Sequence, residues 1–488
     1  MTVSERERTV VDGVQTGLFI GGRWRDASGG KTLRVEDPST GDTLAEVADA
    51  SVEDGRAALD AACAVQSEWA QTPPRDRGEI LRRAFEVITE RADDLALLMT
   101  LEMGKPLSES KAEITYAAEF FRWFSEEPVR IGGRWSTAPN GASRLLTMKQ
   151  PVGPSLMITP WNFPLAMGTR KIGPAIAAGC TMVMKPASLT PFSMQALAGI
   201  LAEVGLPDGV LNVVTTSHTG EVMEPLIRDP RLRKLTFTGS TEVGRKLVEQ
   251  SAQGLLKVSM ELGGNAPFLV FGDADLDEAV DGAMLAKMRN VGEACTAANR
   301  FIVHESVAEE FSARLSERMS ALRMGRGTDE GVQVGPLVEA KQRDKVRDLV
   351  DDALEKGASA TCGGKAPEGP GYFYPATVLT DVPESANMFR EEIFGPVAPI
   401  FTFSDQAEAV AKANDTEYGL VSYLFTTDLS RAIAVSEALE TGMVGLNQGM
   451  VSNVAAPFGG VKASGLGREG GIEGIEEFLE TKYIAIKP

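Results

Sequence analysis

The feature that most constrains the fold is a strand–helix alternation between residues 151 and 263. Apolar runs "SLMIT", "TMVMK", "VLNVV", "KLTFT" and "KVSME" begin at about 155, 181, 210, 234 and 257, and helix-like stretches over 164–178, 191–204, 220–228 and 241–252 separate most of them. Alternation at about 25 residues per unit predicts right-handed crossovers and a parallel sheet. Ligands on such sheets bind beyond the carboxyl ends of the strands. The residues just after each run are therefore the first candidates for a site.

The flanks carry other patterns. Residues 17–48 alternate short apolar runs with turn residues and predict hairpins. Apolar spacing such as Ile80, Leu81, Phe85 and Ile88 predicts helices over 52–70, 74–103 and 106–126. A second α/β pattern occupies 264–462, with "FLVF", "RFIVH", an amphipathic helix near 338–356, "VAPIFTF" and "MVGLN". The stretch 130–150 interrupts the first pattern as a strand pair, and "KYIAIKP" at the end is also strand-like. Such isolated strands pair with each other or with a neighbouring subunit.

A chain of 488 residues exceeds a single ordinary core, so two or three domains are expected. Its net charge of −19 disfavours nucleic acid, which needs clustered cations. Cys63, Cys180, Cys295 and Cys362 lie far apart, which suits a reducing cytoplasm better than a disulfide framework. The first residues lack an apolar signal core, and no uncharged run is long enough to span a bilayer. With only His218 and His304 beside those scattered cysteines, no transition-metal site is expected. The expectation is a soluble, cytoplasmic protein without membrane or nucleic-acid partners.

Each strand end offers chemistry with a plainer alternative beside it. In "TPWNFP" (159–164), Asn162 offers an amide donor, or caps a helix starting near Pro164. In "KPAS" (185–188), Lys185 binds a ribose or phosphate, or is a solvated turn lysine. In "FTGSTEVGRK" (237–246), Gly239 and Ser240 open a helix whose amides could hold a pyrophosphate. It is not a P-loop, because Gly244 is followed by Arg245, Lys246 and Leu247 rather than Lys and a hydroxyl residue. In "ELGGNAP" (261–267), Glu261 is a general base if partly removed from water, or an exposed residue before a turn. Farther on, "VGEACTAANR" presents Cys295 with no histidine near it in sequence.

Together "TPWNFP", "KPAS", "FTGSTEVG", "ELGGNAP", "GEACTAANR", "EEIFGPV" and "PFGGVKASGLGRE", in that order, resemble the aldehyde dehydrogenase superfamily over essentially the whole chain. "TRKIGPAIAAGC", "KMRNVGEAC", "GMVSNVAAPFGG" and "SGLGREGG" look most like its succinate-semialdehyde dehydrogenases. The resemblance implies an α/β fold. A Rossmann-type cofactor domain (1–129 and 151–263) would join a catalytic α/β domain (264–462) and a β bridging element for oligomerisation (130–150 and 463–488). It implies Cys295 as nucleophile, Glu261 as general base, and Asn162 as oxyanion donor beside the Cys295 N–H. Glu392 would hold the nicotinamide ribose with Phe394 near the ring. Lys185 and Ser188 would meet the adenosine ribose and Gly239–Ser240 the pyrophosphate. Thr159, Trp161 and Leu262 would line the cofactor cleft.

The chemistry is coherent without a histidine. A thiolate adds to an aldehyde carbon, and an ordinary cysteine near pKa 8.5 is only a few per cent thiolate at pH 7. A modest lowering of the Cys295 pKa, by a helix end or the cofactor cation, would enlarge that fraction. The resulting oxyanion needs preorganised donors, each typically worth about 3 kcal/mol. Hydride transfer to nicotinamide leaves a thioester, which water activated by Glu261 hydrolyses.

Many NAD-preferring relatives carry Glu where this chain has Ser188, so loss of that repulsion favours NADP, with NAD the alternative. Arg170, Arg289 and Ser452 match the groups that bind the substrate carboxylate in succinate-semialdehyde dehydrogenases. Read alone, Arg170 could be a surface partner of Lys171, and Arg289 a helix C-terminal cation. Ala297 stands where some relatives have a second cysteine, so a disulfide switch of that form is not expected. The expected partner is a small semialdehyde, glutarate semialdehyde competing closely with succinate semialdehyde, in a homo-dimer or homo-tetramer. A non-catalytic scaffold of the same fold, a nucleotide hydrolase and a CoA-acylating relative are the weaker alternatives.

Overall fold

The computed structural model describes residues 4–487. An eight-stranded sheet runs in the order Gly465–Leu466, Lys257–Glu261, Lys234–Thr238, Ser155–Ile158, Met182–Lys185, Leu211–Val213, Leu18–Ile20, Arg23–Arg25. The five strands anticipated from the apolar runs are mutually parallel and form its centre. The register sets Thr238 beside Glu261 and Ile158 beside Lys185, so the carboxyl ends emerge along one edge. From Ser155–Ile158 the chain builds outward in one direction, then returns to build from Lys234–Thr238 in the other. That reversal makes a crevice at the switch point, where ligands of such sheets bind.

A seven-stranded sheet follows, ordered Ser359–Cys362, Thr377–Thr380, Val397–Phe403, Ala298–His304, Ala266–Val270, Val421–Phe425, Met443–Leu446. Only four residues separate Glu261, the end of a strand in the first sheet, from Ala266, the start of one in the second. The short link brings the carboxyl edge of one sheet to the entry edge of the other. There Cys295 precedes Ala298–His304 and Glu392 precedes Val397–Phe403.

Residues 134–137 and 144–151 pair as a hairpin, and Leu479–Ile486 joins it in an antiparallel three-stranded sheet. Residues 463–488 were expected to belong wholly to this outlying element, and they divide instead. Gly465–Leu466 adds to the edge of the first sheet opposite Glu261 and Met260. Gly465 makes that possible: its φ is +138°, and a Cβ there would lie 1.9 Å from the Met260 carbonyl oxygen. The first hairpin also does more than anticipated, because Phe19 pairs with Val213 and extends the same sheet. The helix expected over 74–103 is two, Pro74–Glu90 and Ala92–Met103, broken at Arg91. Asp93 and Asp94 then favour a new N-terminus through the helix dipole.

The helix Ala166–Ala178 is buried at every position. Its small residues allow close contact with Leu107–Glu126; a Cβ on Gly173 would meet the Phe124 ring at 3.1 Å. Overpacking of this kind costs typically about 1–3 kcal/mol, which fixes the helix that carries Arg170 and Lys171. Among the described residues, no helix is long and apolar enough to cross a membrane.

Candidate active site

A cleft between the two sheets holds about 210 Å³ and is lined by Trp161, Asn162, Gly239, Ser240, Glu261, Leu262, Cys295, Gln342, Lys345, Glu392 and Phe394, among others. Asn162 is not a helix cap. The helix begins at Ala166, and its Leu165 and Ala166 amides donate to Glu113 Oε1 at 3.0 and 3.1 Å. Asn162 instead donates through Nδ2 to the Glu293 carbonyl at 3.0 Å, while its own Oδ1 accepts from Phe163 N–H at 3.1 Å. One amide hydrogen of Nδ2 is left for the cleft that it shares with Cys295.

Cys295 follows a strained turn. Asn290 (φ +54°), Val291 (φ +56°) and Gly292 (φ +78°) are all left-handed. Such strain persists where surroundings over-determine it, and Asn290 Nδ2 supplies two ties, to the Asn162 carbonyl at 3.0 Å and the Glu293 carbonyl at 2.8 Å. The thiol keeps part of its surface open to the cleft, but surrounding protein withholds water. Burial pushes the Cys295 pKa up to about 12, with Arg170 and Arg289 opposing and Glu392 and Glu261 adding to the rise.

Glu261 is 3 % exposed, and neither carboxylate oxygen has a hydrogen-bond partner. Burial first, then the Glu469 charge, raise its pKa well above the ordinary value, against Arg170, Lys171 and Arg468. Glu469 was not singled out from the sequence. It bonds Arg170 Nε at 2.5 Å and also bonds Lys171 Nζ. Burial pushes Glu469 up, but Lys171 and Arg170 outweigh it and hold the carboxyl below its usual value. The picture of Arg170 and Lys171 as a surface pair is thereby corrected: both side chains are 1 % exposed. Arg170 also stacks over Phe458 at 4.0 Å and retains one buried, unpartnered nitrogen, Nη2.

At the other end of the cleft, the Trp161 and Phe394 rings meet edge to face at 5.4 Å. Gln342 Nε2 donates to the Phe394 carbonyl at 2.6 Å and so fixes that left-handed residue (φ +56°). Glu392 Oε1 accepts from Gly264 N–H at 3.2 Å, and burial raises its pKa to about 7. Lys185 is buried, which lowers its amine to about 8, and Ser188 is half-buried nearby in the same turn. Thr159 is buried at the end of the adjoining strand. Ser240 caps the helix Thr241–Ala252, while the Gly239 amide is taken by the Glu261 carbonyl at 3.1 Å. A pyrophosphate would therefore meet the amides of the helix's first turn rather than that of Gly239. A carboxylate for a diol, a buried amine without a carboxylate partner, and a capped helix end fit a dinucleotide.

The third cluster joins Arg289 to Ser452. Arg289 Nη1 donates to Ser452 Oγ at 3.2 Å, and the guanidinium lies over the Phe163 ring at 4.9 Å and the Tyr116 ring at 5.8 Å. It does follow the helix Leu276–Met288 directly, so its place as a C-terminal cation and its place in this cluster coincide. Gln342 and Lys345 reach the cleft from the helix Ala340–Glu355, where the sequence showed only an amphipathic face.

Comparison with known proteins places the chain among relatives of one family. A family model described as the aldehyde dehydrogenase family matches residues 24–484. A succinate-semialdehyde dehydrogenase of Paenarthrobacter nicotinovorans is 59% identical, over 91% of this chain and 98% of its own length. A glutarate-semialdehyde dehydrogenase of Pseudomonas putida is 50% identical, over 96% of this chain and 97% of its own. The crystal structure of an E. coli NADP-dependent enzyme superposes with a TM-score of 0.96 at 52% identity, covering 97% of this chain and 98% of that one.

Proposed function

This chain belongs to the aldehyde dehydrogenase family, and from that premise we propose that it oxidises succinate semialdehyde, or a close ω-carboxy aldehyde, to the dicarboxylate. The observation that carries this reading is the Arg289–Ser452 pair, close enough that the Arg289 charge bears on the Cys295 thiol. A guanidinium held by a hydroxyl and aromatic faces is suited to a carboxylate at the far end of a short aldehyde. Buried Arg170, with its free Nη2, is the second cation on that side.

When bound, a nicotinamide dinucleotide supplies the hydride acceptor. The chain's own residues do the rest. Arg170 and Arg289 favour the thiolate of Cys295, whose Sγ adds to the carbonyl carbon. Asn162 Nδ2 and the Cys295 N–H donate to the oxyanion of the thiohemiacetal. After oxidation the acyl group is a thioester on Cys295. Glu261, once deprotonated, takes a proton from the water that hydrolyses it.

Lys185, Ser188, the first turn after Ser240, Leu262, Thr159 and Trp161 bind the dinucleotide, and Glu392 with Phe394 holds its nicotinamide end. NADP is preferred to NAD because Ser188 presents no carboxylate to a 2′-phosphate and the Lys185 amine is free to meet it. The protein is cytoplasmic, in keeping with four free thiols. It forms a homo-dimer or homo-tetramer through the outlying sheet, where Trp135 and Tyr483 are exposed. Glutarate semialdehyde is the second reading, since a relative of that name matches nearly the whole chain and a methylene discriminates by only about 1–3 kcal/mol.

A steady-state panel of succinate semialdehyde, glutarate semialdehyde and acetaldehyde with NADP and NAD tests the reading. The carboxylated substrates with NADP should give the highest kcat/KM. A higher value for acetaldehyde would remove the roles given to Arg170 and Arg289.

A further inference from the structure

The buried ion pair Lys105–Glu113 has no part in the chemistry so far, yet all of its recorded bonds outside the pair converge on the oxyanion loop. Both side chains are 0% exposed, with Lys105 Nζ 2.6 Å from Glu113 Oε2. Lys105 directs a second bond to the backbone carbonyl of Asn162, at 2.7 Å, and sits 4.4 Å over the Phe163 ring. Glu113 directs its other oxygen to the amides of Leu165 and Ala166. The pair therefore grips residues 162–166 at both ends. Asn290 then links the gripped Asn162 carbonyl to the Glu293 carbonyl on the nucleophile's turn.

Burying two charges is not an efficient route to stability, since an apolar pair of the same volume does as well or better. What the arrangement supplies is direction. We propose that Lys105 and Glu113 are positioning residues for the oxyanion donor: their ion pair fixes the Asn162 backbone so that its side-chain amide points at the carbonyl oxygen held on Cys295. The proposal rests on the reading of Asn162 as that donor. Displacement of a reacting group by 1 Å costs about 10²-fold in rate, so release of this grip should slow the hydride-forming step by about 10- to 100-fold.

The test uses the full chain with NADP and succinate semialdehyde, and the neutral variant Lys105→Met/Glu113→Gln, which leaves no unpaired charge. Lys105→Met alone, in which the Glu113 carboxylate keeps its bonds from the two helix amides while the Asn162 carbonyl is released, serves if the double change does not fold. Single-turnover NADPH formation per titrated Cys295 is compared with alkylation of Cys295 by iodoacetamide, which forms no oxyanion. Oxidation should slow by the stated factor while alkylation and NADP binding stay within about twofold, and adding the change to Asn162→Ala should slow that variant no further. Slowing of alkylation in parallel with oxidation, or effects that multiply with Asn162→Ala, would overturn the proposal. If Asn162→Ala alone leaves the rate unchanged, the donor assignment itself falls, which is a different failure from loss of coupling.

Discussion

The side-chain amide of Asn162 donates to the backbone carbonyl of Glu293 across 3.0 Å, two residues before Cys295. A residue from the loop after a strand of one sheet is thereby locked to the turn that opens a strand of the other. Donor and nucleophile keep a fixed relation before any substrate arrives, as preorganised electrostatic catalysis requires.

Asn162→Ala should lower kcat/KM for succinate semialdehyde by about 10²–10³-fold, the usual result of removing one oxyanion donor. Single-turnover NADPH formation reads the loss at the hydride-forming step.

Burial and the Glu469 charge raise Glu261 well above the ordinary carboxylate range, so its basic form is gained only at higher pH than for an ordinary carboxylate. Where thioester hydrolysis limits turnover, kcat should rise with pH until the raised pKa is passed. A pH profile of kcat measures that limb, and Glu261→Gln should abolish it.

Glu469→Gln should strand Arg170 and Lys171 as buried, uncompensated cations. Breaking one side of such a cluster costs about 3–5 kcal/mol, readable by urea unfolding at pH 7. The pH sign follows from linkage. Glu469 is held below its ordinary 4.5, so its contribution is present above that value and is lost as pH falls through the lower folded pKa. The wild type should show that acid limb and the variant should lack it.

Arg289→Met should raise KM for succinate semialdehyde by about 10²-fold, in line with about 1.5–3 kcal/mol for hydrogen bonds to a charged group. Oxidation of acetaldehyde, which has no carboxylate, should fall by far less, losing only the help that the Arg289 charge gives the Cys295 thiolate.

Ser188→Glu should move preference from NADP toward NAD, because a carboxylate repels the 2′-phosphate and accepts from ribose hydroxyls. The ratio of kcat/KM values for the two cofactors measures it.

Period and punctuation in the sequence located the five central strands almost residue for residue, because strands buried on both faces are rich in apolar residues and the helical stretches between them are set off by turns. Placement of Asn162, Lys185, Gly239 and Glu261 at strand ends followed from that. Other parts were not legible. Glu469 meets Arg170 from 299 residues away, and a glutamate in "SGLGREGG" carries no local sign of two buried cations. Glu113 read as a polar position on a helical segment and Lys105 as a residue of the link before it, since periodicity separates faces but does not match partners. The high pKa of Cys295 was hidden for the same reason, being set by how completely the two sheets close around the thiol.

The assignment of Cys295 as nucleophile and Glu261 as base is tested most directly by trapping the acyl-enzyme. Glu261→Gln is mixed with NADP and succinate semialdehyde, quenched, digested and analysed by mass spectrometry. One succinyl group should appear on the peptide containing Cys295, with a burst of about one NADPH per competent site followed by slow turnover, the kinetic sign of an accumulating acyl-enzyme. An unmodified Cys295 peptide together with undiminished steady turnover would contradict both assignments.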